Sequence, residues 1–142
     1  MDKLLGSLPN GLHDAELTAL AVDYARAEVT ASVVVDFSDP EDPSSEGLAR
    51  DARVVFTGVS SLVVDPPEMG PGDQTQAQIT VNRIDAETGQ PETSPRPDLR
   101  APDSGFLCWI YLSSLNGFVR IGARDVRLEW TAPGQAYRRW PA

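Results

Sequence analysis

Asn116-Gly117 separates two apolar segments, Phe106–Leu115 and Phe118–Ala123. A two-residue turn with positive φ at both central positions suits Asn-Gly, and between apolar runs this pair is the strongest short-range signal for a β-hairpin. It commits this stretch of the chain to antiparallel strands. Counting outward from the turn pairs Leu112 with Ile121 and Ile110 with Ala123 on one face, while Tyr111 meets Gly122 and Trp109 meets Arg124 on the other. An exposed Trp109–Arg124 contact would add about 0.5–1 kcal/mol by cation–π attraction. Continued unbroken, this register carries Asp125 to the core face opposite Cys108. A bulge or turn at Arg124-Asp125 is therefore expected, which returns Val126, Leu128 and Trp130 to the buried side and leaves Arg127 and Glu129 outside.

The same two-residue period runs through the middle of the chain. Val29, Ala31, Val33, Val35 and Phe37 alternate with Glu28, Thr30, Ser32 and Asp36, the pattern of a half-buried strand. Ala52–Val64 is rich in valine and broken at Gly58, Ser60 and Ser61, which predicts two strands or one strongly bent one; Ala77–Ile84 adds another. Glu16–Val29 is ambiguous, because Leu17, Leu20, Ala21, Tyr24 and Ala25 also satisfy helical spacing. A helix there would run into the Val29 strand with no Gly, Asn or Pro to stop it. A strand, a break at Ala25-Arg26-Ala27 and a second strand is the favoured reading, with Leu20, Val22 and Tyr24 on one face. Leu4–Pro9 has room for a short turn or helical cap.

These elements predict a mainly β chain, an antiparallel sandwich or strongly curved sheet of seven or eight strands with little helix. The 142 residues suit one domain, placed at residues 1–130, with 131–142 as a C-terminal tail. Proline-rich stretches at Ser38–Gly47, Asp65–Gln74 and Asp85–Ser104 read as loops, since proline fixes φ and lacks a backbone donor. Residues 85–104, long and almost without apolar side chains, are expected to be mobile.

No apolar run approaches the roughly 20 residues that cross a bilayer. Asp2, Lys3, Gly6, Pro9 and Asn10 interrupt any signal-peptide pattern, so a cytoplasmic location is expected. Cys108 is the only cysteine, which excludes an intrachain disulfide. A formal charge of −9 argues against general binding to nucleic acid or to anionic membrane. Basic residues gather late, with Arg120, Arg124, Arg127, Arg138 and Arg139 after Gly117. The tail Tyr137-Arg138-Arg139-Trp140 has the composition of an interface, although folding back on its own acidic domain explains it at lower cost.

Candidate chemistry is sparse. His13, the only histidine, lies beside Asp14 and Glu16, a combination that merits consideration as a carboxylate-oriented base or part of a metal site. A metal needs three or four converging ligands, however, and a strand would send His13 and Glu16 to opposite faces. Bonding of His13 and Asp14 to backbone where the first strand begins is the simpler role. Cys108 sits on the apolar face of the hairpin and reads as an inert buried thiol. Neither Gly-x-Ser-x-Gly nor a phosphate-cradling glycine loop occurs. Asp39, Glu41, Asp42 and Glu46 lack calcium-loop spacing and read as a solvated loop that presents negative potential. No catalytic residue, metal or cofactor is therefore assigned. The candidate binding residues are His13, Asp14, Glu16, Trp109, Tyr111 and Arg124.

Leu8-Pro9-Asn10-Gly11-Leu12-His13-Asp14-Ala15-Glu16-Leu17, followed by Val22-Asp23-Tyr24, resembles the opening of a family of small uncharacterised bacterial β-rich proteins. Phe56-Thr57-Gly58-Val59 and Val126-Arg127-Leu128-Glu129-Trp130 are similar to that family as well. The His-Asp-Ala opening also resembles an immunity-protein family of polymorphic-toxin systems. That likeness implies a non-catalytic inhibitor that binds a protein partner, and it carries over no catalytic residues. The acidic balance would suit a basic partner, with electrostatic steering of association. The alternative is a small-molecule binding module or an enzyme using a pocket near His13, anchored by His13 or Tyr111.

Overall fold

The computed structural model describes residues 2–8, 11–13, 15–39, 41–65, 80–85, 101–112, 117–131 and 137–138, with only the backbone described at 2, 5, 80–85 and 137–138. The fold is mainly β and antiparallel. After a four-residue helix, α1 (Asp2–Leu5), come β1 (Ala15–Asp23), β2 (Glu28–Asp36), β3 (Leu48–Thr57), β4 (Ser61–Val64), β5 (Thr80–Asp85), β6 (Phe106–Leu112), β7 (Gly117–Ala123), β8 (Asp125–Trp130) and β9 (Tyr137–Arg138). Eight strands pair in the order β4-β7-β6-β5-β1-β2-β3-β8, and β9 pairs with β3. Among the described residues the end strands β4 and β8 do not pair with each other, so the sheet is bent without closing into a barrel.

The bend follows from a single corner. The β3–β8 ladder ends at Thr57↔Asp125 and the β4–β7 ladder resumes at Ser61↔Gly122, so Gly58, Val59 and Ser60 face only Ala123 and Arg124. One extra residue on one strand is a bulge, and a bulge bends its strand. Gly58 takes φ +60, and Arg124 folds its aliphatic stem over it, 3.0 Å from where a Cβ would stand. The backbone bonds Arg124 N–H to Thr57 O (3.0 Å) and Ser60 N–H to Gly122 O (2.9 Å) carry pairing across the corner. The break expected at Arg124-Asp125 is thus half of a corner whose other half is the interruption at Gly58.

Folding over this corner lets the sheet enclose its own core. Leu17, Val29, Ala31, Val33, Val35, Ala52, Val54 and Phe56 from one half share a cluster with Cys108, Ile110, Leu112, Val119, Ile121 and Ala123 from the other. The rings of Phe56 and Phe106, on strands that are not neighbours, lie 6.4 Å apart. Leu4, Leu8 and Leu12 from the N-terminal turns join the same cluster. Removing these side chains from water is the main driving force for the fold.

Glu16–Val29 is strand, turn and strand. Residues 24–27 make the turn, with the Asp23 carboxylate accepting from Arg26 N–H at 3.1 Å and Ala27 at φ 50. A bulge at Thr18 shifts the β1–β2 register between Leu17 and Ala19, so Leu17, Leu20 and Val22 lie on the same face as Val33, Ala31 and Val29.

The hairpin around Asn116 forms, but in a different register. Leu112 faces Gly117, Ile110 faces Val119 and Cys108 faces Ile121, leaving four residues, Ser113 to Asn116, for the connection. Leu112 is therefore not opposite Ile121, Ile110 is not opposite Ala123, and Trp109 meets Arg120 in place of Arg124. Tertiary fit outweighs the turn preference here. Gly105 packs so closely on this strand that a Cβ there would lie 2.4 Å from the Ala123 carbonyl, and the Arg120–Asp65 pair described below anchors β7 from its other side. The shift is four residues, an even number, so each side chain keeps its face and Cys108 is buried in the core.

The turn at Asn116, Ala77 to Ile79, and residues 86–100 of the expected loop lie outside the described residues. Within the segment read as a tail, Leu48 pairs with Arg138 and Ala49 with Tyr137.

Candidate functional site

Both faces of β6 and β7 are largely buried. Leu107, Trp109 and Arg120 lie on the face away from the core, yet Trp109 is 8% exposed and Arg120 only 4%. Arg120 stands between Trp109 on β6 and Val63 on β4. Its Nη1 donates to Asp65 Oδ1 at 2.8 Å, and its guanidinium lies 5.0 Å from the Phe118 ring, which in turn packs 5.1 Å from Tyr111. The second Asp65 oxygen accepts from the Phe118 N–H at 3.1 Å. Arg120 Nε has no hydrogen-bond partner among the described residues. A cation removed from water is tolerated only when paired and hydrogen-bonded, and Asp65 supplies that pairing. This cluster ties the end of β4 to β7.

The second feature is a groove between the β1–β2 turn and β4. Among the described residues, β5 pairs with β1 at Ala15 and Glu16. Thr18, Ala19, Ala21, Val22, Asp23 and Tyr24 are all exposed, and Tyr24 is 91% so. The β1–β2 hairpin hangs beside β4, joined to it by Val59 N–H to Ala27 O at 2.9 Å. Between them lies a cavity of about 310 Å³ with Val22, Val29, Val59 and Leu62 as its apolar walls and Asp23, Glu28 and Ser60 as polar lining. Its charged lining side chains are both acidic. A second cavity of about 310 Å³, lined by Thr18, Ser32, Asp51 and Arg53 among others, opens on the outer surface of β2 and β3.

The residues singled out from sequence fall in different places. His13 is exposed in the turn before β1, Glu16 is half-buried near the start of β1, and Asp14 lies outside the described residues. Neither cavity is lined by His13 or Glu16. Trp109 and Tyr111 do come together, on one face of β6, with Arg120 and Phe118 opposite them. Arg124 is not part of that cluster; it is exposed at the corner, covering Gly58. Among the described residues, no group of three or more His, Cys, Asp or Glu is placed to hold a metal ion, and no described helix is long and apolar enough to cross a membrane.

Sequence reasoning missed Arg120 and Asp65. The available signal was the unbroken apolar run Phe106–Leu112, which marks a strand covered on both faces and so makes an arginine opposite it a buried one. The groove was not readable, because Val22, Val29, Val59 and Leu62 meet only after the chain turns at Gly58. No family model matches the chain, and the comparison with curated proteins found no match.

Proposed function

We propose that this chain is a non-catalytic, cytoplasmic interaction protein, immunity-like in the sense of its His-Asp-Ala opening, that holds a basic protein partner against the groove between the β1–β2 hairpin and β4. The observation that carries this reading is the groove itself, an apolar floor with an acidic rim and the fully presented Tyr24 ring beside it. Aromatic anchors around a desolvated centre are the residues that dominate protein interfaces. The net charge of −9 would speed encounter with a basic partner and make the association sensitive to salt.

The test is site-specific photo-crosslinking in cells of the source type. A photoreactive side chain at Tyr24 is expected to give one discrete protein adduct, reproduced by the pure pair and weakened as ionic strength rises. The same group at Arg53, exposed on the outer surface, should give none. Equal adducts at both positions, or yield at Tyr24 that ignores salt, would overturn the reading.

A further inference from the structure

We infer that the methyl group of Ala27 is a specificity-determining contact of the groove, and that what it meets is one aliphatic side chain of the basic partner, seated beside Val22, Val59 and Leu62. The inference rests on the groove reading above and names the group that enters the groove.

Ala27 closes the β1–β2 turn at φ 50, in the left-handed region where the Cβ of an L residue crowds its own backbone. Two bonds hold the turn in that shape. The Asp23 carboxylate accepts from Arg26 N–H at 3.1 Å, and the Ala27 carbonyl accepts from Val59 N–H at 2.9 Å, which ties the hairpin to β4. Glycine enters this region without a steric cost, and Gly11, Gly47 and Gly58 do so elsewhere in the chain. Alanine is the less stable choice at this position, so its methyl calls for a compensating contact.

The fold does not supply that contact. Ala27 is exposed and stands outside the core cluster. It lines the groove instead, together with Val22, Val29, Val59 and Leu62. All five are aliphatic, so the group that best fits between them is aliphatic too. A cavity of about 310 Å³ is at the small end of the range for binding pockets, with room for an inserted side chain and none for a helix. Asp23 and Glu28 are the charged lining residues, so cations flanking the inserted group complement the rim. A second copy of this chain brings another −9 and the same rim, which disfavours self-association as the source of that group.

The experiment compares the whole chain with its Ala27→Gly variant, using two short probe peptides in which lysines flank either a central leucine or a central glycine. Thermal melting reads stability, NMR titration reads peptide affinity at the groove residues, and hydrogen exchange at Val59 reads whether the turn stays tied to β4. Ala27→Gly is expected to raise the melting midpoint by about 2–4 °C. It is expected to weaken the leucine peptide about threefold to fivefold, the share of one buried methyl, while the glycine peptide binds both proteins alike and the Val59 amide keeps its parent protection. If the variant is more stable and binds the leucine peptide as the parent does, the role of Ala27 is wrong while the groove reading stands. If both peptides weaken together, or Val59 loses protection, a loosened turn explains the change and the contact is overturned. If Ala27→Gly lowers the melting midpoint, the methyl serves the fold and the inference fails. If the leucine peptide shifts no groove signal in the parent, the groove reading fails as well.

Discussion

Replacing Asp65 by Ala should destabilise this protein far more than replacing Arg120 by Leu, although both changes delete the same ion pair. Asp65 is about a third exposed and Arg120 only 4%. Without Asp65, the Arg120 cation stays buried and loses its Nη1 acceptor, while its Nε already lacks one. Breaking a buried pair in this way costs about 3–5 kcal/mol. Water can reach part of the Asp65 position, which lowers the figure towards about 3 kcal/mol. The lost bond from the Phe118 N–H is part of that cost. In Arg120→Leu the buried charge disappears, an apolar side chain meets Trp109 and Val63, and the remaining carboxylate can hydrate and keep its bond to Phe118. That variant should lose about 1 kcal/mol or less. The double variant Asp65→Ala/Arg120→Leu should lie near Arg120→Leu, since the penalty of Asp65→Ala is an unpaired cation that is no longer present. Urea unfolding followed by tryptophan fluorescence measures all three, and a melt should show Asp65→Ala lower by roughly 10 °C. Equal losses for the two single variants, or a larger loss for Arg120→Leu, would refute the view that desolvation of Arg120 sets the balance.

Further outcomes follow from the corner, the groove and the acidic loop. Gly58→Ala places a side chain at φ +60 and against the Arg124 stem, so chemical denaturation should show a loss of about 1–2 kcal/mol. Tyr24→Ala should leave unfolding free energy within about 0.5 kcal/mol of the parent, because the ring is almost wholly exposed; in a binding titration with the captured partner it should weaken the complex. In the loop before β3, the hydroxyl and N–H of Ser44 both donate to Asp42 and hold its carboxyl below the usual aspartate range. A depressed pKa contributes stability above the unfolded-state value that is lost as pH falls through the folded one. Ser44→Ala should therefore raise the Asp42 titration midpoint, read by carboxyl NMR, and move local loosening of this loop to higher pH.

Much of the strand layout was legible because alternation is a local property. Val29 to Val35 showed their buried face directly, and the absence of any helix stop between Glu16 and Val29 correctly favoured two strands there. The Asn116-Gly117 signal located a hairpin but misplaced its register, since turn chemistry is worth less than the close packing of Gly105 on Ala123 and the Arg120–Asp65 anchor. Face assignment survived only because the slip was even. The corner was visible as two separate irregularities, at Gly58 and at Arg124, that become one bulge only when β3 and β8 pair. Site residues were the least legible. His13 drew attention as a rare residue type, yet it touches neither cavity. The groove is made by common side chains, Val22, Val29, Val59 and Leu62, whose meaning lies in being brought together and left open.

Amide hydrogen exchange of the protein alone and with the partner captured at Tyr24 tests the groove reading most directly. Val29–Val34 has a strand on each side, so its amides should be protected alike in both states. Binding should slow exchange from Asp23 to Ala27 and from Val59 to Leu62, the turn and the strand that flank the groove. Slowing confined to other segments, with these two unchanged, would contradict docking in the groove.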